Sequence, residues 1–169
     1  DHRDLHRVDR RQRQMCIRDR DYTSTHRNPY REWIGAQIRA DGWGYACAGN
    51  PELAAEFAWR DAHWTHRANG IYGEKMFAAI IASAFVVHDA KELISIGLSE
   101  IPRNCRLSEA VNAALDEIAR CNDFHSYMDW VQLRYGDLSP VHTVNNALVI
   151  IGSMIFGKMD FHKSIFTSV

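Results

Sequence analysis

Hydrophobic positions recur at intervals of three and four residues along most of the chain, and the alternation typical of a strand is absent from the sequence. The clearest case is LSEAVNAALDEIARC, in which Leu107, Val111, Ala114, Leu115 and Ile118 form one apolar stripe. Similar spacing predicts helices over 31–40, after Asn50, over 71–88, and in AKELISI, FHSYMDWVQLRY, HTVNNALVIIGSMIFG and DFHKSIFTSV. The pattern therefore predicts an all-α fold, a globular multi-helix bundle.

Capping and breaking residues mark several of the boundaries. Asn50 followed by Pro51 is typical of an N-cap and a first helical position. The glycines of DGWGYACAGN are expected to end the helix over 31–40 and to form a loop. The helix over 71–88 is apolar on all sides and rich in alanine, so we expect it to be central, with neighbouring helices packed closely against it.

The first 20 residues have a different composition from the rest of the chain. They contain seven arginines interrupted by four aspartates, with no apolar core and no aromatic residue, which fits neither a targeting signal nor a nucleic-acid-binding arm. Back-translation of DHRDLH and RRQRQMCIRDR gives strings that look like a transposon-type sequencing-library adapter. We therefore expect 1–20 to be a non-native, disordered tail and 21–169 to be one partial domain, cut short at both ends.

Without that tail the balance of charge becomes mildly acidic. Residues 21–169 hold 13 Lys and Arg against 17 Asp and Glu, which argues against a nucleic acid or a membrane surface as a partner. No apolar run reaches the length of a membrane span. Cys47, Cys105 and Cys121 are odd in number and form no CxxC pair, so we expect reduced thiols and a cytoplasmic location.

Two polar clusters lie where predicted helices meet. The first, DGWGYACAGNP over 41–51, precedes a helix N-terminus that could hold a diphosphate, although an ordinary glycine-rich connection with an Asn cap is the simpler interpretation. The second, DAHWTHRANGIYGEK over 61–75, gathers polar side chains around a break at Asn69 and Gly70. These side chains could line a cleft in which Glu74 acts as a base or as a hydrogen-bond acceptor. Its histidines, His63 and His66, are either a metal pair or ordinary helix-end residues.

Two further groups admit simple structural interpretations. Polar residues start the late helix, where they could cap it and bond to loops or could line a pocket: His142, Thr143, Asn145 and Asn146. Cys121 and His125 are four residues apart, a spacing that suits a thiol nucleophile or simply the end of an amphipathic helix.

Two blocks carry a resemblance to a known family: D-x-W-G-Y followed by G-N-P-E-L-A-A, and H-x-x-N-G-I-Y-G-E. Together with GLSEIPRNCRLSEAV and HTVNNALVIIGSMIFGKMDFHKSI, they make residues 30–169 resemble the central part of the ADP-ribosylglycohydrolase family, relatives of the dinitrogenase-reductase-activating glycohydrolase. The chain departs from the family pattern at Ala48, where a proline is expected, and at Gly42, where the residue is often bulkier.

The resemblance implies an all-α fold and hydrolysis of the glycosidic bond that joins ADP-ribose to a protein side chain or a small molecule. It also implies two divalent ions, Mg²⁺ or Mn²⁺, whose acidic motifs are expected outside this chain, so no metal ligand is predicted here and the chain alone is expected to be inactive. The partner would be an ADP-ribosylated protein or a small-molecule ADP-ribose conjugate. The alternative is a non-catalytic helical protein of the same fold, with a structural or binding role.

The resemblance also transfers functional positions, all of which lie in the two specific blocks. The implied catalytic residue is Glu74, which would support the catalytic cleft. The implied substrate-binding residues are Asp41, Trp43, Gly44, Gly49 and Asn50 in the first block, and His66, Asn69, Gly70 and Tyr72 in the second.

Overall fold

The computed structural model describes residue 24 and residues 26–168, so the predicted tail over 1–20 lies outside the described residues. After a 3₁₀ turn at Gln37–Arg39, the described part contains eight α-helices: α1 Ala40–Ala46, α2 Pro51–Ala62, α3 Asn69–Ser83, α4 Ala90–Ser99, α5 Arg106–Ile118, α6 Phe124–Tyr135, α7 Thr143–Phe156 and α8 Phe161–Ser168. Within those residues the only β-type pairing is one isolated bridge, between Trp33 and His142. The predicted all-α class is confirmed.

Helix α3 is the centre of the bundle. Twelve of its 15 residues are buried, so it has almost no solvent-facing side. Helices α1, α2, α4 and α7 all pack against it, and its alanines let these neighbours approach closely. The predicted central helix is confirmed, although it ends at Ser83 and the exposed Phe85 and Val86 follow in a turn.

Helices α5, α6 and α7 complete the core on the other side. The predicted inner stripe of α5 is buried at Leu107, Val111 and Ile118, and this helix packs on α7. Helix α6 also packs on α7, where the buried Tyr127 donates a hydrogen bond from its hydroxyl to the carbonyl oxygen of Leu148, 2.9 Å away. That bond satisfies a hydroxyl that would otherwise be costly to bury.

The helix predicted over 31–40 is wrong for most of its length. The segment before the 3₁₀ turn pairs instead with the start of α7: Ile34 N donates to Val141 O at 2.8 Å, and Thr143 N donates to Glu32 O at 3.0 Å. These bonds, together with the bridge from Trp33, engage backbone groups that an α-helix would need for its own ladder. Tertiary pairing therefore overrides the local periodicity.

The loop predicted over DGWGYACAGN is also wrong in its first half, because α1 runs through it. Gly44 is buried where α1 crosses α3, and a Cβ at that position would lie only 2.5 Å from Cγ2 of Ile81. This glycine therefore permits a close helix crossing and does not form a turn. Gly49, with a φ of +79°, does adopt the left-handed conformation that favours glycine.

The predicted cap at the start of α2 is confirmed. Asn50 Oδ1 accepts a hydrogen bond from the backbone N–H of Leu53 at 3.1 Å, and Pro51 occupies the first helical position. We expect Asn50→Ala to lower the free energy of unfolding by about 1 kcal/mol, because one N–H of the first turn loses its acceptor. Urea unfolding would measure the loss. Asn50→Asp keeps the acceptor and should retain most of the stability; an equal loss in both variants would contradict a capping role.

Candidate functional site

Four side chains, Arg39, Trp43, Asp61 and Glu74, form one cluster that joins the 3₁₀ turn, α1, α2 and α3; we name it the Arg39 cluster. Arg39 Nε donates to Asp61 Oδ2 at 2.7 Å, and its Nη1 donates to the carbonyl oxygen of Gly35 at 2.9 Å. Trp43 Nε1 donates to Glu74 Oε1 at 3.0 Å and lies 3.4 Å from Asp61 Oδ2. Each polar side chain in the cluster therefore contacts at least one other.

Glu74 is the innermost member and is fully buried. Its Oε2 has no hydrogen-bond donor among the described residues, and the nearest cationic nitrogen, Arg39 Nη2, is 3.7 Å away. Burial, followed by the hydrogen bond and negative charge of Asp61, raises the pKa of Glu74 to about 9, while the Arg39 charge and the Trp43 hydrogen bond lower it by less. Glu74 is therefore a neutral carboxylic acid at pH 7, and its proton provides the hydrogen bond to Asp61.

The pKa of Asp61 is shifted in the opposite direction from that of Glu74. Burial tends to raise its pKa, but hydrogen bonds from Arg39, Glu74 and Trp43, with the charge of Arg39, outweigh burial and lower the pKa below 3.8. Its side chain is 30% exposed, so the ionised carboxylate reaches the surface. A pair of carboxyl groups with separated pKa values is typical of acid–base sites. Of these two carboxyl groups only Asp61 reaches the surface, beside the 40% exposed Arg39, because Glu74 is fully enclosed.

The second predicted block forms the junction between α2 and α3. Asn69 uses both ends of its side-chain amide: Nδ2 donates to Glu32 Oε2 at 2.6 Å, and Oδ1 accepts from the backbone N–H of Leu107 at 2.9 Å. A Cβ on Gly70 would overlap the carbonyl oxygen of Arg31. Both residues therefore hold backbone segments together, and their predicted contact with substrate stays a prediction.

The other two residues of this block are also enclosed or half-enclosed. His66 is buried, its Nδ1 lies 2.8 Å from Thr65 Oγ1, and burial, followed by the charge of Arg39, lowers its pKa. Tyr72 is half-buried and packs against a small cluster that contains Ala36 and Ile71. His66 is thus close enough to the Arg39 cluster to be influenced by its charges.

The first predicted block is divided by the fold. Trp43 belongs to the Arg39 cluster, whereas the N–H of Gly49 donates to Ala82 O at 2.7 Å, at the far end of α3. Ala82 is eight residues from Glu74, or about 12 Å along the helix axis. Gly49 and Asn50 therefore lie away from Glu74, and Asp41 is exposed on α1. The substrate-binding roles of these residues stay predictions.

The polar start of α7 behaves as a capped helix end. His142 Nδ1 accepts from the backbone N–H of Val144 at 3.1 Å, and Asn145 and Asn146 donate to the carbonyl oxygens of Ser139 and Pro140. Burial lowers the pKa of His142. The predicted capping and loop bonds are confirmed.

Cys121 does not have the surroundings of a reactive thiol. Burial, together with the charge and hydrogen bonding of Glu117, raises the pKa of the Cys121 thiol, which disfavours the nucleophilic thiolate. The sequence spacing between Cys121 and His125 therefore reflects the turn between α5 and α6, not a nucleophile.

A divalent ion requires several carboxylate, imidazole or thiolate ligands that converge on one point. No group of three or more His, Cys, Asp and Glu side chains in residues 24 and 26–168 could hold a metal ion. His63 stacks on Trp59, with ring centroids 4.6 Å apart. The two carboxyl groups of the Arg39 cluster do not fit a divalent ion either, because Arg39 neutralises Asp61 and Glu74 keeps its proton. Among the described helices, none has both the length and the hydropathy that a membrane-spanning segment requires.

Sequence reasoning found most of the Arg39 cluster but missed Arg39 itself. Asp61 and Glu74 stood in one polar block, and Trp43 in the other. Arg39 is the last residue of the 3₁₀ turn, and nothing in its local sequence indicates a partner 22 residues further along the chain. Only the packing of α1 and α2 against α3 brings these groups together.

Comparison with known proteins identifies the family of this chain. The sequence model of the ADP-ribosylglycohydrolase family matches residues 4–169, which include every described residue. Neither the curated proteins nor the solved structures gave a match. Because the family match extends over nearly the whole chain and the fold is all-α, as the resemblance implied, the chain belongs to the ADP-ribosylglycohydrolase family.

Proposed function

We propose that the parent protein hydrolyses the glycosidic bond between ADP-ribose and a protein side chain or a small molecule. The observation that carries this proposal is the family match over residues 4–169. Departure of the acceptor from the ribose generates positive charge on the sugar, which carboxylates stabilise in glycosidases. Two ions of Mg²⁺ or Mn²⁺ would orient the ribose and activate water, and their ligands would be residues outside the described part of the chain.

Within this chain we assign Glu74 a positioning role. The Glu74 carboxyl group is fully buried, so it cannot touch a substrate, but it is held by Trp43 and donates its proton to Asp61. That hydrogen bond and the Arg39 guanidinium keep Asp61 ionised at the surface edge of the cluster. Asp61 is thus the carboxylate of this cluster that is able to face a positively charged sugar.

The test compares this chain with the protein encoded by the complete parent reading frame. Each is incubated with Mg²⁺ and with ADP-ribosyl-arginine, ADP-ribosyl-serine or an ADP-ribosylated nucleobase, and free ADP-ribose is quantified. We expect the complete protein to release ADP-ribose from at least one conjugate and to stop when EDTA removes the ions. We expect the isolated chain to release none, because its described residues provide no metal site.

Two results of this test would contradict what we propose. If the complete protein, loaded with Mg²⁺ or Mn²⁺, released no ADP-ribose from any of the three conjugates, the hydrolase proposal would be wrong for them. A non-catalytic helical protein of this fold would then be the better account. Release by the isolated chain would instead show that the described residues contain more of the catalytic machinery than we assign to them.

A further inference from the structure

Residues 31–34 lie against the start of α7; we name this segment the strap. Its edge toward α7 makes two backbone hydrogen bonds: Glu32 O accepts from the N–H of Thr143 at 3.0 Å, and Ile34 N donates to Val141 O at 2.8 Å. The first N–H groups of any α-helix have no acceptor within the helix. The strap therefore supplies an acceptor that the first turn of α7 lacks.

His142 supplies a second acceptor at the same helix end. Its Nδ1 accepts from the backbone N–H of Val144 at 3.1 Å, and its backbone forms the isolated bridge with Trp33 of the strap. An imidazole nitrogen accepts a hydrogen bond only while it carries no proton, so this cap requires the neutral ring with its proton on Nε2. A second proton would turn Nδ1 into a donor that faces another donor. The cap is therefore incompatible with the imidazolium form of His142.

The polar groups around the His142 ring come from the strap, from α3 and from α5. Glu32 Oε2 lies 3.9 Å from His142 Nε2 and also accepts from Asn69 Nδ2 of α3 at 2.6 Å. Burial lowers the pKa of His142, the charge of Glu32 raises it by less, and the charge of Arg106, the first residue of α5, lowers it again. The side chain is only 11% exposed, so its surroundings favour the neutral form that caps α7.

We propose that His142 is a pH-sensitive switch that holds the strap on the start of α7. While the ring is neutral, both acceptors are in place and the edge is closed. In mild acid Nδ1 takes a proton from solvent, the hydrogen bond to Val144 breaks, and the first turn of α7 separates from the strap. The two backbone bonds of the strap lie one residue to either side of His142, at Val141 and Thr143, so they open with it.

Hydrogen exchange followed by NMR on the full chain, between pH 7 and pH 5, measures this opening one amide at a time. The probes are the N–H groups of Ile34, Thr143 and Val144, with each rate expressed as a protection factor. As the pH falls below 6.5, the ordinary pKa of histidine, these factors should fall by up to about tenfold per pH unit until the pKa of the closed form is reached. Protection is lost in this direction because the open form binds the proton more tightly than the closed form.

The decisive variant is His142→Asn, because asparagine is a good N-cap whose side-chain oxygen accepts the same bond without titrating. In this variant the three protection factors should be the same at pH 5 as at pH 7. His125→Asn makes the same change at an exposed position of α6 and should keep the pH dependence of the parent chain. His66, whose pKa is also lowered, is present in all three proteins. A pH dependence that survives in His142→Asn would therefore arise elsewhere and would overturn the proposal.

Two further measurements distinguish the switch from general unfolding in acid. The N–H of Phe77, buried in α3, should keep its protection at pH 5 while the three probes lose theirs; an equal loss would show that the whole chain opens, which contradicts the proposal. Glu32→Gln keeps an oxygen for Asn69 but removes the charge beside Nε2, so the NMR titration midpoint of His142 should move to lower pH. An unchanged midpoint would show that Glu32 does not face the ring, and the proposed arrangement would be wrong.

Discussion

Glu74→Gln is expected to make the chain more stable than the parent at pH 9 and about equally stable at pH 5. Glutamine has the shape of the protonated acid, and its amide can donate to Asp61 while its oxygen accepts from Trp43, so the contacts of the neutral carboxyl group are kept. It differs from glutamate in having no proton to lose. The variant therefore isolates the contribution of one buried titration.

The direction of this pH dependence follows from the coupling between protonation of Glu74 and folding. Glu74 has a pKa of about 9 in the folded chain, above its ordinary value of 4.5 in an unfolded one. The stability that its proton provides is fully present below pH 4.5 and is lost progressively as the pH rises to about 9, because only the folded state holds the proton across that range. The difference in unfolding free energy, parent minus variant, should fall by about 1.4 kcal/mol for each pH unit.

Urea unfolding of both proteins at pH 5, 7 and 9 measures this difference. Asp61 and His66 also have shifted pKa values, but both proteins contain them, so their contributions largely cancel in the comparison. Glu109→Gln makes the same chemical change on an exposed position of α5 and should give the pH profile of the parent chain. A difference between parent and Glu74→Gln that stays constant from pH 5 to pH 9 would show that Glu74 is not held as a neutral acid.

Local signals in the sequence were sufficient to predict most of the helical bundle. The Asn50 and Pro51 pair set the start of α2, and the apolar stripe of α5 placed its buried face, because capping and 3.6-residue periodicity act within a single turn or helix. The prediction failed over 31–40 because Ile34 bonds to Val141, more than 100 residues away. No local pattern carries that information.

The candidate site, like the fold, could be predicted from the sequence only in part. The sequence placed Asp61 and Glu74 in one polar block, but it could not show that Glu74 is enclosed while Asp61 reaches the surface. Nor could it show the roles of the two glycines of α1. Gly44 is required by the close approach of Ile81, whereas Gly42 has no atom within 4 Å of a Cβ. Such distinctions depend on which helix faces a neighbour, and that is settled only by packing.

Gly70→Ala is expected to lower the free energy of unfolding by about 2–3 kcal/mol, because the added methyl group overlaps the carbonyl oxygen of Arg31. The obstacle is backbone that is itself anchored, since the same Arg31 oxygen accepts a hydrogen bond from the N–H of Arg67 at 2.9 Å. Relief of the overlap therefore requires one of two backbone segments to move. Against a typical total stability of about 5–15 kcal/mol, this loss is a large fraction.

Gly42→Ala is the matched control and should have the opposite sign. Gly42 is exposed in the interior of α1, and a Cβ there meets no atom within 4 Å, so alanine gains helix propensity without a clash. The expected gain is about 0.5–1 kcal/mol, measured by urea unfolding alongside Gly70→Ala. The family resemblance agrees, since it implies a bulkier residue at this position. If both substitutions changed the free energy of unfolding equally, helix propensity and not the contact with Arg31 would determine the effect of Gly70→Ala. A loss confined to Gly70→Ala, measured without nucleotide, would show that Gly70 is needed for packing, whatever it contributes to binding.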